Sequence, residues 1–187
     1  VFKRSPEQNV ITEVRFRLPK ARDVRTGYAG VEEELAAMGI DGVPTHLQVA
    51  EAISRLRARK LPNPAVLGNA GSFFKNPIVD AALADALKAA HPALPVFPGD
   101  SPSTRKLSAG WLIDAAGWKG FRDGDAGVAP QHALVLVNHG QATGTQLLAL
   151  AGRIAGSVQA RFGVALEPEP RIIGGRFAPI APDQAPA

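Results

Sequence analysis

The stretch Gly68-Asn69-Ala70-Gly71-Ser72-Phe73-Phe74-Lys75-Asn76-Pro77 puts a hydroxyl, two aromatic rings, a cation and an amide on one glycine-hinged loop. Gly68 and Gly71 open backbone conformations closed to other residues and let a ligand come close. Asn76 before Pro77 reads as an N-cap followed by proline at the first helical position. The loop is therefore expected to run directly into a helix, with free N–H groups and the positive dipole end facing it. That combination marks a candidate site.

Downstream, residues 77–91 are expected to be helical, with Val79, Leu83, Ala86, Leu87 and Ala90 on one face. Residues 106–116 form a second expected helix, with Leu107, Trp111, Leu112 and Ala115 inward. The glycine-rich residues 117–131 read as loop, and the apolar run 133–137 as a buried strand. Residues 143–162 are the longest expected helix, opened by a Thr143/Gln146 capping box and striped by Leu147, Ala151, Ile154 and Val158. Two short strands, 164–166 and 171–173, are expected around Glu167-Pro168-Glu169-Pro170, and the Pro/Ala-rich tail from Phe177 reads as disordered. Upstream, Val14, Phe16 and Leu18 alternate with polar residues and predict a half-buried strand that Pro19 stops. A short acidic helix is expected from Val31 to Met38. A second, over 45–60, is capped by Thr45 and Gln48 and ends in a cationic turn. Leu61-Pro62-Asn63-Pro64 breaks that helix and suggests a domain boundary.

The chain has 187 residues, 45% apolar and 20% charged, which suits a globular protein of one core or two small ones. Its net charge of +4 suits an anionic ligand such as a nucleotide or diphosphate, and equally suits nucleic acid or no particular partner. Cysteine is absent, which removes disulfides and thiolate metal sites. No apolar run approaches the roughly 20 residues of a membrane span. No metal site is expected, because the histidines are scattered and no His-x-x-x-His occurs. Gly-Asn-Ala-Gly-Ser lacks the Gly-Lys-Ser/Thr ending of a P-loop. Phe73-Phe74-Lys75 stands almost alone as an aromatic–basic cluster, so nucleic-acid binding is disfavoured.

Ser72 is the first candidate for chemistry. As a nucleophile it would need an oriented base, yet His46, His91, His132 and His139 sit in no triad-like motif. As a proton donor to a carbanion it would need cations to stabilise the alkoxide, and Lys60 and Lys75 could supply them. It could also be one residue of a tight structural turn. Glu169 is the second candidate. Pro168 and Pro170 restrict its neighbours, so it is either a rigidly held acid or half of a surface pair with Arg171.

The loop at 68–77 resembles the signature of the UDP-N-acetylenolpyruvoylglucosamine reductase (MurB) family, of the type with a longer substrate-side domain. Lys60-Leu61-Pro62-Asn63-Pro64, Lys106-Leu107-Ser108-Ala109-Gly110-Trp111-Leu112-Ile113-Asp114, the 133–138 strand and Leu166-Glu167-Pro168-Glu169 with Arg171 and Gly174 follow in the family's order. The resemblance covers the chain from its start to about Gly174. It implies an α+β fold, with a small mixed or antiparallel sheet packed with helices. Residues 1–61 would end a FAD-binding domain, 62–163 would be the substrate-binding domain, and 164–187 would return to the flavin side.

The resemblance further implies an oxidoreductase in which FAD takes a hydride from NADPH and passes it to the substrate's enolpyruvyl carbon. Ser72 would then protonate the resulting carbanion. Glu169 would help an arginine stabilise charge on the adjoining carboxylate. Lys60 and Asn76 would help hold the UDP portion. Phe97 stands where the family has a nucleotide-contacting tyrosine, and His132 where it has a glutamine on the substrate side. Pro170 replaces the usual valine. The expected partner is a UDP-sugar, and the expected setting is a cytoplasmic monomer that binds neither nucleic acid nor membrane. The flavin-binding region, a catalytic arginine and a substrate-gripping tyrosine would lie upstream, so the isolated chain is expected to lack activity. A nucleotide-sugar-binding module without catalysis is the alternative, and a basic nucleic-acid-binding domain a third.

Overall fold

The computed structural model describes residues 11–19 and 22–181. The chain divides into two compact units, Val1–Ile53 and Ser54–Ala187. Elements are numbered in chain order, and their mixture of helices with antiparallel sheets makes the fold α+β.

In the first unit, α1 (Val31–Ala37) carries Glu32, Glu33 and Glu34 in its first turn, where acids favour the dipole. The helix α2 (His46–Lys60) begins here and starts as its sequence foretells. Gln48 N–H donates to Thr45 Oγ1 at 3.3 Å, and Thr45 N–H donates to Gln48 Oε1 at 2.8 Å. The expected strand before Pro19 does not form among the described residues: 11–19 pair with no strand, and Phe16 is 79% exposed. Alternation supplies a face, but a strand also needs a neighbour to receive its main-chain hydrogen bonds. Val10 lies outside the described residues.

The second unit is built on two antiparallel sheets. The larger has the order β1 (Gly68–Ser72), β7 (Val135–Asn138), β6 (Ala126–Val128), β5 (Arg122–Asp123). The smaller has the order β2 (Ile78–Asp80), β4 (Thr104–Leu107), β3 (Val96–Pro98). The helices α3 (Ala81–Ala90), α4 (Ala109–Ala115) and α5 (Gly144–Phe162) complete the unit. One core gathers Phe74, Leu107, Leu112, Ile113, Trp118, Leu136, Ile154 and Val158. The stripe foreseen on the last helix, Ala151, Ile154 and Val158, is buried there.

Several boundaries correct the sequence reading. The glycine stretch is not a free loop running into a helix; its first half is β1, and the helix begins only at Ala81. Ile78–Asp80, expected as helix, pairs with β4, opposing Lys106, Arg105 and Thr104. Lys106 and Leu107, also expected as helix, end β4 instead, and α4 starts after Ser108, whose hydroxyl accepts from Trp111 N–H at 3.2 Å. Partner strands from distant sequence take these main-chain groups, which local propensity cannot foresee. Pro98 is tolerated because β3 is an edge strand. The expected loop 117–131 contains the β5–β6 hairpin, whose turn residue Gly124 takes φ 58°. The strands expected at 164–166 and 171–173 are absent. Val164 and Leu166 are buried, but the segment forms an isolated Phe74–Pro168 bridge rather than a strand. Of the tail read as disordered, Ile180 N–H donates to Gly152 O at 2.9 Å on α5. Residues 182–187 lie outside the described residues.

The Thr143 capping box of α5 is complete, with Gln146 N–H donating to Thr143 Oγ1 at 3.2 Å and Thr143 N–H to Gln146 Oε1 at 2.8 Å. Thr143→Ala should cost about 1 kcal/mol, lowering the melting temperature of the intact protein by roughly 2–4 °C. Thr143→Ser should restore most of it; equal melting of the alanine variant and the parent would refute the cap's contribution.

Candidate functional site

The site begins with a defect in a strand pair. Gly68 opposes Asn138 and Asn69 opposes Val137, but Ser72 opposes Val135, so β1 carries one residue more than β7 between these pairs. Gly71 takes φ 79° at this bulge, a conformation that favours glycine, and its N–H donates to Asn69 Oδ1 at 3.1 Å. The Asn69 amide in turn donates to Leu67 O at 2.9 Å. A bulge bends the strand and re-aims the side chain that follows, here Ser72.

Beyond Ser72 the chain is held from both sides. Phe73 N–H donates to Leu134 O at 2.7 Å, Glu169 N–H donates to Phe73 O at 2.7 Å, and Lys75 N–H donates to Glu167 O at 3.0 Å. Phe74 is buried in the core, edge-on to Phe73 and to Phe177. Ser72 and Glu169, far apart in sequence, are thereby brought to adjoining positions on two paired segments. Ser72 lines a cavity of about 610 Å³, walled by residues 68–73, by 170–175, and by residues of β7 and the first turns of α5. Its apolar lining includes Phe73, Leu136, Leu147, Leu148 and Ile172. Glu169 stands at the rim, exposed, next to Pro170 and Arg171 of the wall.

The cation at this cavity differs from the expected one. Lys75 pairs with Glu167 at 3.2 Å, both side chains more than half exposed, an interaction of small energy. Neither Lys75 nor Lys60 lines the cavity; Arg171 does.

The remaining candidates fall elsewhere. Asn76 does not cap a helix at Pro77. Its Oδ1 accepts from Ala109 N–H at 2.9 Å and thus satisfies a free donor at the start of α4, across 33 residues of sequence. Phe97 lies on β3 opposite Lys106, 44% exposed, in a row with Ile78 on the same sheet face. It lines a separate groove with Val96, Pro98, Pro102 and Arg105, away from the Ser72 cavity.

Lys60 and His132 are brought together. The His132 pKa is held below 6.5, first by burial and then by the positive charges of Lys60 and Lys119. Leu134 N–H points at its Nδ1, 3.3 Å away. Nδ1 is thus the acceptor, and the neutral ring carries its proton on Nε2, free to donate.

Lys119 is the member that sequence reasoning passed over. It sits in Gly117-Trp118-Lys119-Gly120, where both glycines take positive φ (86° and 78°) and its Nζ meets Asp114 Oδ2 at 3.1 Å. A lone lysine between glycines was the available signal. In the sequence Arg171 stands as a surface partner for Glu169 and within the family signature. Among the described residues, no group of three His, Cys, Asp or Glu side chains is placed to hold a metal ion, and no helix is long and apolar enough to cross a membrane.

Residues 63–173 match the family model described as UDP-N-acetylenolpyruvoylglucosamine reductase, C-terminal domain. The chain is 58% identical over 176 residues to the UDP-N-acetylenolpyruvoylglucosamine reductase of Xylella fastidiosa strain 9a5c, covering 94% of this chain and 50% of that protein. It is 55% identical over 177 residues to the reductase of the same name from Xanthomonas euvesicatoria pv. vesicatoria, covering 95% and 50%. The crystal structure of UDP-N-acetylenolpyruvylglucosamine reductase (MurB) from Thermus caldophilus aligns with a TM-score of 0.39 at 31% identity, over 66% of this chain and 33% of that one. The chain spans about half the length of the curated relatives it matches. The family model alone covers more than half of the chain, so the protein belongs to the family of UDP-N-acetylenolpyruvoylglucosamine reductases, through their C-terminal domain.

Proposed function

We propose that this chain is the substrate-side part of a cytoplasmic, monomeric oxidoreductase that reduces the enolpyruvyl group of UDP-N-acetylglucosamine enolpyruvate, in the synthesis of peptidoglycan precursors. In that enzyme residues 1–61 complete the flavin domain, 62–163 bind substrate and 164–187 return to the flavin side. The observation that carries the reading is Ser72, set by a bulge into the wall of an apolar cavity whose opposite wall is tied to it through the Glu169 N–H to Phe73 O bond.

The cavity fits the ring end of a flavin: at Gly71 and Gly174 a Cβ would meet nothing within 4 Å, leaving room for a planar group close to the backbone, and Phe73, Leu148 and Ile172 exclude water. When bound, FAD recharged by NADPH supplies the hydride. This chain's work is then acid chemistry and positioning. Hydride addition to the enolpyruvyl double bond leaves a carbanion next to a carboxylate. Ser72 gives that carbon its hydroxyl proton, and water later restores the serine. A cation in an apolar wall stabilises the transient alkoxide more than it would in water, and Arg171 occupies that wall. Glu169, restrained by Pro168, Pro170 and its own N–H bond, meets the carboxylate side of the substrate. Lys60, Lys119 and the Nε2–H of His132 offer two charges and a neutral donor to the UDP portion, where a glutamine amide would otherwise donate. Asn76 and the Phe97 ring, without a tyrosine's hydroxyl, complete the contacts.

In the full-length enzyme, Ser72→Ala should leave flavin reduction by NADPH intact and slow substrate reduction by about 10²–10⁴-fold, read by stopped-flow absorbance of the flavin. Unchanged turnover would remove the proton-donor role. For Glu169→Gln, kcat should fall far more than substrate affinity, whereas equal losses would mark a binding role. His132 binds its proton less tightly folded than unfolded. The unfolded chain therefore takes up more protons below pH 6.5, and stability falls as pH drops through that value. Melting curves at pH 7.5 and 5.5 should differ less for His132→Gln than for the parent; an identical difference would contradict this linkage.

A further inference from the structure

Two glycines one turn apart interrupt the buried face of α5, Gly152 and Gly156. Glycine is unfavourable inside a helix relative to alanine, and residues four apart share a face. The space they leave is occupied by main chain from near the end of the described residues. A Cβ on Gly152 would lie 2.6 Å from the Ala178 carbonyl oxygen. A Cβ on Gly156 would lie 2.6 Å from the Ile180 carbonyl carbon and would overlap its oxygen. Ile180 N–H closes the clasp on Gly152 O at 2.9 Å. The Ile180 side chain, 44% exposed, joins the main chain in the seat: its Cγ1 and Cδ1 lie 3.0 Å from where a Gly152 Cβ would be.

This clasp is the second of two anchors. The first is the Phe74–Pro168 bridge, with Glu169 N–H on Phe73 O. Phe177, edge-on to Phe74, joins the core just before the clasp. Between the anchors runs the 170–175 wall of the Ser72 cavity, which forms no strand of its own. Its shape therefore depends on where its two ends are held.

We infer that Gly156 is a positioning residue: with Gly152 it seats residues 178–180 on α5, and this seat sets the 170–175 wall beside Ser72. The inference rests on the reading of that cavity as the reacting site.

The test compares Gly156→Ala with Ile180→Pro in the full-length enzyme. The first fills the seat; the second removes the clasp's N–H and side chain while leaving the sequence of α5 intact. Both should speed trypsin cleavage after Arg171 and Arg176, which flank residues 172–175 of the wall, on the order of tenfold or more, leaving hydrogen exchange of the β7 amides unchanged. Both should lower kcat/KM for the enolpyruvyl substrate on the order of tenfold to a hundredfold. The double variant should be little worse than Ile180→Pro alone, because both changes act on one contact. Unchanged wall cleavage in both single variants, or full additivity in the double, would overturn the seat. Faster wall cleavage with unchanged kcat/KM would keep the seat but overturn the positioning role, while Ser72→Ala tests the cavity as the reacting site independently.

Discussion

The second unit depends on how the chain between Ser72 and Lys75 spends its main-chain groups. On one side Phe73 N–H reaches Leu134 O; on the other, Phe73 O and Lys75 N–H are taken by the segment of Glu167 and Glu169. Buried peptide groups must find partners, so this short piece joins the β7 side of the sheet to a segment from late in the chain. Phe74, between those bonds, is buried to 1% exposure and turns the joint into part of the core. Without it, the serine and the acid would have no common frame.

The bulge and the joint divide the labour. Gly71 at φ 79° supplies the extra residue that re-aims Ser72, and the paired segments hold the result rigid. Polar amides along the way are consumed structurally: Asn69 closes the bulge and Asn138 binds Gly140 N–H, Ala142 N–H and Ala142 O. Among the described residues, candidate ligand-facing side chains sit in three places. One is the Ser72 cavity with Arg171, another the cationic cluster of Lys60, Lys119 and His132, and the third the Phe97 face of the smaller sheet.

The helices were legible because their signals are local. The Thr45/Gln48 and Thr143/Gln146 boxes and the apolar stripe of α5 act within a few residues of themselves. The smaller sheet was not legible. Ile78–Asp80 and Lys106 carry helix-compatible sequence, and only their pairing across the sheet makes them strands. The same reason explains Asn76. Its cap was readable, but the helix it serves begins at Ala109, not at Pro77. Val14, Phe16 and Leu18 show the converse, a strand pattern that finds no partner among the described residues.

By itself the sequence determined the chemical inventory: a serine on a glycine-flexed stretch, a proline-flanked glutamate, scattered lysines and four histidines. It also determined the family, because that inventory recurs in order. Only the tertiary structure decided which of these meet. It set Ser72 beside the segment of Glu169, gave the cavity Arg171 rather than Lys75, added Lys119 to Lys60 and His132, and laid the end of the described chain across Gly152 and Gly156. Each of these is a pairing between distant segments, and a pairing is set by which main-chain groups and surfaces remain open once the core has closed, which no local window contains.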